Sequence, residues 1–185
     1  TTSNAVSTTV TGLIQGTYIF QLSVNGGIST ANTTVNVVTN STWTIFTSQA
    51  PVSPIENDGL ALELGVKFRS AVAGFITGVR FYKTTGNSGT HTGELYSSAG
   101  ARLAQAVFTG ETASGWQQVL FSSPVAITAG TTYIAAYHSS AGNYTSTGNY
   151  FATGIVNGPL TGLADGTDGS NGLYAYTAAP AFPSN

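Results

Sequence analysis

The sequence predicts an all-β fold, with a jelly-roll-like β-sandwich over most of its length. Apolar and polar residues alternate along many short segments, which is the period of a half-buried strand. Turn signals that contain glycine separate these segments at fairly regular intervals. Strong helix signals are absent, and the 23 glycines would penalise helix interiors.

Composition excludes several classes of protein. Only 6% of the 185 residues are charged, against about 25% in an average soluble protein. Five Lys and Arg face seven Asp and Glu, so there is no basic field for nucleic acid. No apolar run approaches the roughly 20 residues that span a bilayer, so we expect no membrane insertion. The chain has no cysteine, which excludes a disulfide scaffold.

The distribution of charge predicts two units, residues 1–42 and 43–185. Residues 1–55 contain no charged side chain, whereas all five basic residues fall between Lys67 and Arg102. The chain begins at Thr1 and contains no methionine, so we expect a processed product or a piece of something longer.

Two strands are predicted in the first unit. Residues 17–24 would place Tyr18, Phe20, Leu22 and Val24 on one face, and residues 33–38 continue the pattern after a turn at 25–27.

Seven strands are predicted in the second unit. They lie around residues 60–69, 75–83, 92–97, 102–108, 116–121, 132–137 and 173–176. The residues predicted to face the core are Val66, Phe68, Phe81, Leu95, Leu103, Val107, Trp116, Val119, Phe121, Tyr133 and Ile134. The basic residues Lys67, Arg69, Arg80 and Lys83 would then point outward or lie at sheet edges.

Residues 10–24 resemble the back half of a polycystic-kidney-disease-type, immunoglobulin-like repeat. The resemblance covers about the first forty residues and implies a small partial immunoglobulin-like β unit. The front half of the repeat is missing, and Asn25 replaces the aspartate that usually follows the long strand.

From Trp43 onward the chain resembles the bacterial domain-of-unknown-function 4082 family. The matching stretches are residues 63–70, 78–83, 89–93, 108–117, 129–133, 157–160, 171–172 and 182–183. The resemblance implies a β-sandwich in large secreted, multi-module surface proteins, beside immunoglobulin-like repeats and carbohydrate-active modules. The family has no established biochemical role.

Family members usually continue past the Phe182–Pro183 pair with a closing aromatic strand, whereas this chain stops at Asn185. Both predicted units therefore lack strands, and open sheet edges favour pairing with another chain. One hypothesis is a fibre subunit completed by strand donation from neighbouring copies. The alternative is a fragment whose missing strands lie elsewhere in the same protein.

Catalytic residues do not form a recognisable set. His91 and His138 are the two histidines, no Gly-x-Ser-x-Gly elbow is present, and a structural role is expected for both histidines. Glycoside hydrolysis needs two acids across a sugar site, for which Glu94 with Glu111, or Glu56 with Glu63, are conceivable pairs. The sequence therefore predicts a protein that is not an enzyme.

Calcium is the one cofactor for which the residues make a case. Asp165, Asp168 and Asn171 place oxygen ligands in a Gly-rich loop, and the 56–58 loop could add another. The spacing matches no known calcium motif. The alternative is that Asp and Asn stabilise tight turns through bonds to the backbone.

Exposed aromatic rings could bind carbohydrate, because sugar faces stack on flat rings. The available rings are Trp116, Tyr96, Tyr144, Tyr150, Tyr174 and Tyr176. Tyr144 and Tyr150 are the chosen candidates, since residues 142–150 form a polar, Gly-rich segment.

The sequence thus predicts a non-catalytic extracellular structural or adhesive module of a bacterial surface protein. Its expected partners are neighbouring copies or modules, and weak charge lets like subunits approach one another. The alternative is a carbohydrate-binding module of a secreted polysaccharide-active protein.

Overall fold

The computed structural model describes residues 10, 16–24, 29–37 and 41–185. The chain divides into two compact units, Thr1–Thr42 and Trp43–Asn185. The predicted turn at 25–27 lies outside the described residues. No helix in the part of the chain that the structure describes is long and apolar enough to cross a bilayer.

The first unit contains an antiparallel hairpin of two nine-residue strands, β1 (Gly16–Val24) and β2 (Ser29–Val37). The rings of Tyr18 and Phe20 stack on one face, with their centroids 6.4 Å apart, as the alternation predicts. Leu22 is 63% exposed and Ile19 is 67% exposed. The hairpin therefore leaves much of its apolar surface uncovered among the residues described.

The second unit contains eleven strands and one turn of 3-10 helix at Tyr150–Ala152. The strands are β3 (Ser53–Asn57), β4 (Leu62–Ser70), β5 (Gly74–Lys83), β6 (His91–Ser97), β7 (Arg102–Val107), β8 (Gly115–Ile127), β9 (Tyr133–Ser139), β10 (Asn143–Ser146), β11 (Ile155–Asn157), β12 (Leu160–Gly162) and β13 (Leu173–Tyr176).

One large antiparallel sheet organises this unit. Its strand order is β11-β12-β4-β9-β6-β7, and β13 adds a seventh strand by pairing with β4. Strand β4 is central: β9 lies along one side, while β12 and β13 share the other. The pair β5–β8 forms a second layer, and β10 pairs with β3. The predicted all-β sandwich is confirmed.

The core lies between the large sheet and the β5–β8 pair. Alternate residues of β4, β6 and β9 face this layer, because side chains one residue apart point to opposite sides of a sheet. The buried cluster consists of Phe68, Val79, Phe81, Leu95, Phe108, Phe121, Ile127 and Tyr133. Val66 and Val119, also predicted to face inward, are half-buried.

The opposite face of the large sheet, called the outer face below, is covered as well. Ile134 is buried there in a second cluster with Tyr96, Ala136 and Leu173, against which Phe182 packs. Ile134 follows Tyr133 directly on β9, so the two cannot share a face. The prediction that both face the same core was wrong for Ile134.

Strand β7 has the opposite orientation from the one predicted. Leu103 is 40% exposed and Val107 is 51% exposed, whereas Ala104 and Ala106 pack against the core. The strand lies at the edge of the large sheet, where only small side chains face the interior. The prediction of Leu103 and Val107 as core residues was therefore wrong.

Two further orientation predictions were wrong at the ends of β5 and β8. Lys83 shares the inward side of β5 with Phe81, and its side chain is only 15% exposed because it pairs with Glu111. Trp116 is half-buried and packs outside the core, against Phe46 and Tyr82. Arg80 is also partly covered, with its guanidinium 4.8 Å from the Trp116 ring.

Candidate functional site

Three tyrosines and one aspartate form a cluster at the surface of the second unit. Tyr174 is 42% exposed and Tyr176 is 51% exposed, and their rings meet edge to face at 5.8 Å. The Tyr176 hydroxyl donates to Asp58 Oδ2 at 2.8 Å, and the Tyr144 hydroxyl donates to the same atom at 3.2 Å. We call Tyr144, Tyr174, Tyr176 and Asp58 the tyrosine platform.

Local backbone structure brings these residues together. Tyr174 and Tyr176 are two residues apart on β13, so the strand period places them on one face. Asp58 follows β3 in a turn in which the Asn57 side chain accepts a hydrogen bond from the Gly59 N–H. Tyr144 lies on β10, paired with the same β3 strand. The platform therefore joins the ends of three strands.

The surroundings of Tyr144 and Tyr176 in the platform favour the protonated form of their phenols. Burial and the neighbouring Asp58 carboxylate raise the pKa of Tyr144 to about 12. The hydrogen bond to Asp58 raises the pKa of Tyr176 as well. Among the described residues, Asp58 Oδ1 takes no hydrogen bond. The platform thus presents flat rings beside a carboxylate oxygen that can accept from a hydroxyl.

Of the two tyrosines chosen from the sequence, Tyr144 belongs to this platform and Tyr150 does not. The Tyr150 ring lies 5.6 Å from Phe46 and 5.5 Å from Phe151. Phe46 in turn stacks on Trp116 at 5.6 Å. These four rings, which we call the aromatic clamp, hold the segment that contains Phe46 against the second layer.

Neither of the two acid pairs considered from the sequence is assembled. Glu56 accepts a hydrogen bond from Ser146, and Glu111 binds Lys83 and His91. The structure instead pairs Glu63 of β4 with Glu94 of β6, both 0% exposed. A sugar cannot contact carboxylates that are fully buried, so this pair does not form a hydrolytic site.

His91 is part of an internal network rather than an open site. Its Nδ1 lies 2.9 Å from Glu111 Oε1, and its Nε2 lies 2.9 Å from Asn87 Oδ1. Lys83 Nζ donates to Glu111 Oε2 at 2.6 Å. His91 is 0% exposed, and burial lowers its pKa. The network joins β5 and β6 to the loop before β8.

His138 is also buried, and its side chain hydrogen-bonds to the backbone. Its Nε2 lies 2.9 Å from the Thr177 carbonyl oxygen, which it can reach as a donor. No serine, threonine or carboxylate side chain bonds it among the residues described. Neither histidine therefore forms a nucleophile–base pair.

The predicted calcium loop uses its polar atoms within the protein. Asn171 Oδ1 accepts from the Lys67 N–H at 2.8 Å, and the Asn171 N–H donates to Asp165 Oδ1 at 2.7 Å. Asp168 Oδ2 accepts from Thr132 at 2.6 Å and lies 3.2 Å from Arg69. These hydrogen bonds and this ion pair stabilise the turn and attach it to β4 and to the residue before β9.

No three His, Cys, Asp or Glu side chains within residues 10, 16–24, 29–37 and 41–185 are arranged to hold a metal ion. The calcium site at Asp165, Asp168 and Asn171 stays a prediction from the sequence.

The sequence could have identified part of the platform. The Tyr-Ala-Tyr run of β13 places two rings on one face of a short strand, which is a readable signal. Asp58 gave no such signal, because it is 86 residues from Tyr144 and 118 from Tyr176. Only the topology brings them together.

The second unit is an antiparallel β-sandwich domain with a surface aromatic platform. A protein-family model for a domain of unknown function (DUF4082) matches residues 48–185. The chain therefore belongs to the DUF4082 family. No curated protein and no solved structure matches the chain. The immunoglobulin-like resemblance of the first unit stays a prediction.

Proposed function

We propose that the chain is a non-catalytic, extracellular adhesive module of a bacterial surface protein, and that it binds polysaccharide through the tyrosine platform. The observation that carries this proposal is the exposure of Tyr174 and Tyr176 beside the Asp58 carboxylate. Flat rings contact the apolar faces of sugars, and a carboxylate oxygen accepts hydrogen bonds from their hydroxyls.

The negative charge of the platform limits the class of polysaccharide that it can bind. Asp58 and the nearby Glu56 are acidic, and no Lys or Arg bonds any platform residue among the described side chains. An anionic polysaccharide would be repelled at this surface. Neutral or amino-substituted sugars are the class that fits.

Binding is expected to weaken about tenfold, or about 1.4 kcal/mol, when Tyr174 or Tyr176 is replaced by alanine. Removal of either ring takes away stacking surface while leaving the buried core intact. The measurement is retention on insoluble cellulose and chitin, with affinity electrophoresis in xylan, mixed-linkage β-glucan and soluble starch.

Two controls make this experiment specific. Phe75→Ala removes a ring that is 67% exposed on β5, outside the platform, and should bind like the unchanged protein. Tyr176→Phe keeps the ring and removes the hydroxyl that donates a hydrogen bond to Asp58. The proposal fails if none of these polysaccharides is retained, or if the Tyr174 and Tyr176 variants bind as well as Phe75→Ala.

A second candidate function, assembly into a fibre by strand pairing between copies, is favoured by the β1–β2 hairpin. Among the described residues β1 pairs with β2 alone, and an isolated two-stranded hairpin is at best marginally stable in water. Ile19 and Leu22 are largely exposed, and residues 1–55 carry no charge that would repel a second copy. Asn185 already exchanges two backbone hydrogen bonds with Tyr174, which favours the hairpin over the C-terminal edge as the pairing surface.

Fibre assembly predicts that the full chain forms larger species as its concentration rises, and that Ile19→Lys with Leu22→Lys prevents this. Light scattering after size exclusion, together with electron microscopy, measures the species. Thr30→Lys adds a charge at another exposed hairpin position and serves as the control. A monomer at every concentration would rule this candidate out.

A further inference from the structure

Two buried carboxyl groups lie together on the outer face of the large sheet. Glu63 on β4 and Glu94 on β6 lie on either side of β9, which pairs with both of these strands, and each is 0% exposed. Within the part of the chain that the structure describes, no other side chain donates a hydrogen bond to any of their four oxygen atoms. Two neighbouring carboxyl groups can hydrogen-bond to each other only when one of them keeps its proton.

The segment that covers this pair is residues 177–185, which we call the strap. Its first residue donates a backbone hydrogen bond to Ala61, and its last exchanges two with Tyr174. Between them, Phe182 packs edge to face on Tyr96 at 5.6 Å. Pro183 is fully buried over Gly65, where an added Cβ would lie 2.8 Å from Pro183 Cγ. The strap therefore packs closely against the outer face, but few backbone hydrogen bonds hold it there.

Few groups can compensate the charge of the pair. Arg102 of β7 and the Ala181 backbone N–H lower the pKa of Glu63, but burial and Glu94 outweigh them and raise it to about 9. Burial raises the pKa of Glu94 to about 7.

The other titratable or charged groups on this face are Tyr96 of β6, His138 of β9, and Lys67 and Arg69 of β4, of which Arg69 pairs with Asp168. His138 bonds the Thr177 carbonyl, and Lys67 bonds the Asp168 carbonyl, so neither donates to the pair. The strap carries no ionisable side chain.

We propose that the strap is a pH-released latch: a proton shared by Glu63 and Glu94 keeps it closed, and loss of that proton in alkaline solution lifts it from the outer face. When both carboxylates are ionised, their charges repel each other and are costly to bury, so the pair is stable only if water can hydrate it. Glu63 lies on β4, which is bonded along both sides, whereas the strap shields the pair with few bonds. Lifting the strap admits water without breaking the sheet.

The direction of the effect follows from proton linkage. Both carboxyl groups have a higher pKa with the strap closed than when water reaches them. Closure is therefore fully favoured at low pH, and the favourable contribution is lost as the pH rises through the pKa values of the closed pair, about 7 and 9. Below these values the strap stays down.

Amide hydrogen exchange of the full chain tests the latch. After correction for the intrinsic exchange rate, protection of the Thr177 and Asn185 amides should fall at least about tenfold between pH 6 and pH 9. A tenfold change corresponds to a difference of about one unit in pKa between the closed and the open strap. Amides of β9 should keep their protection. Glu63→Gln combined with Glu94→Gln should abolish this pH dependence, whereas Glu56→Gln, on β3, should leave it unchanged.

Several results would overturn the latch. They are equal strap protection at pH 6 and pH 9, persistence of the loss in the double glutamine variant, or restoration of protection at pH 9 by added Ca²⁺ or Mn²⁺, which would make the pair a cation site. If the double variant does not fold, the titration of Glu63 and Glu94 is followed in the unchanged protein by the NMR resonances of their carboxyl carbons, and their pKa values test the latch. Ordinary titration of both groups near pH 4.5 contradicts the proposal.

Discussion

Replacing Phe81 by alanine is expected to lower the free energy of unfolding by about 3–5 kcal/mol, the usual cost of a large buried ring. Phe81 is 2% exposed and lies at the centre of the sandwich. Its ring meets Phe108 edge to face at 4.8 Å, stacks on Tyr137 at 4.6 Å and lies 4.6 Å from His91. Its loss leaves a cavity bordered by both layers. Urea unfolding followed by tryptophan fluorescence measures the change.

Phe75 offers a matched control on the same strand. It is 67% exposed, so Phe75→Ala should change the unfolding free energy by no more than about 0.5 kcal/mol. Similar losses for the two variants would contradict the placement of the core between the large sheet and β5–β8.

Gly78→Ala is expected to destabilise the protein by about 2–3 kcal/mol through overpacking. A Cβ at this position would lie 2.0 Å from the Val119 carbonyl oxygen and 3.0 Å from the Leu120 Cα. Both are backbone atoms, which cannot rotate away as a flexible side chain can. The register of β5 and β8 also shifts between Ile76 and Gly78, so the methyl group would meet an already irregular ladder.

Gly74, at the start of the same strand, is the control for this substitution. An added Cβ there meets no heavy atom within 4 Å. Gly74→Ala should therefore leave stability unchanged within about 0.5 kcal/mol or raise it slightly. Equal unfolding midpoints for the two alanine variants would show that β8 does not approach β5 at Gly78.

The strands could be predicted wherever the alternation of residue types along the segment was clear. Residues 173–176 were predicted as the strand that the structure shows as β13, and β4, β5 and β6 begin or end within two residues of their predicted bounds. Strands β3, β10, β11 and β12 were missed, because their three to five residues show no clear alternation of the kind that the Tyr-Ala-Tyr run gives to β13. The period also cannot say which of its two faces is buried. On the edge strand β7 the larger residues Leu103 and Val107 face outward.

The sites were less predictable than the strands, since they depend on contacts between distant strands. Glu63 and Glu94 were each considered with a different partner, and only the sheet order β4-β9-β6 brings them together. Tyr144 could be chosen because its segment is polar and Gly-rich. Asp58, which accepts a hydrogen bond from the Tyr144 hydroxyl, follows the partner strand β3 and carries no local signature.

The aromatic clamp has a mechanical consequence for the segment that enters the second unit. The Trp116 Nε1–H donates to the Gln49 carbonyl, the Arg80 guanidinium donates to Thr44, and the Asn157 side chain donates to the Thr44 carbonyl. Tension applied to the polypeptide at residue 42 would reach these contacts and the stacked Phe46 ring before any strand of the sandwich.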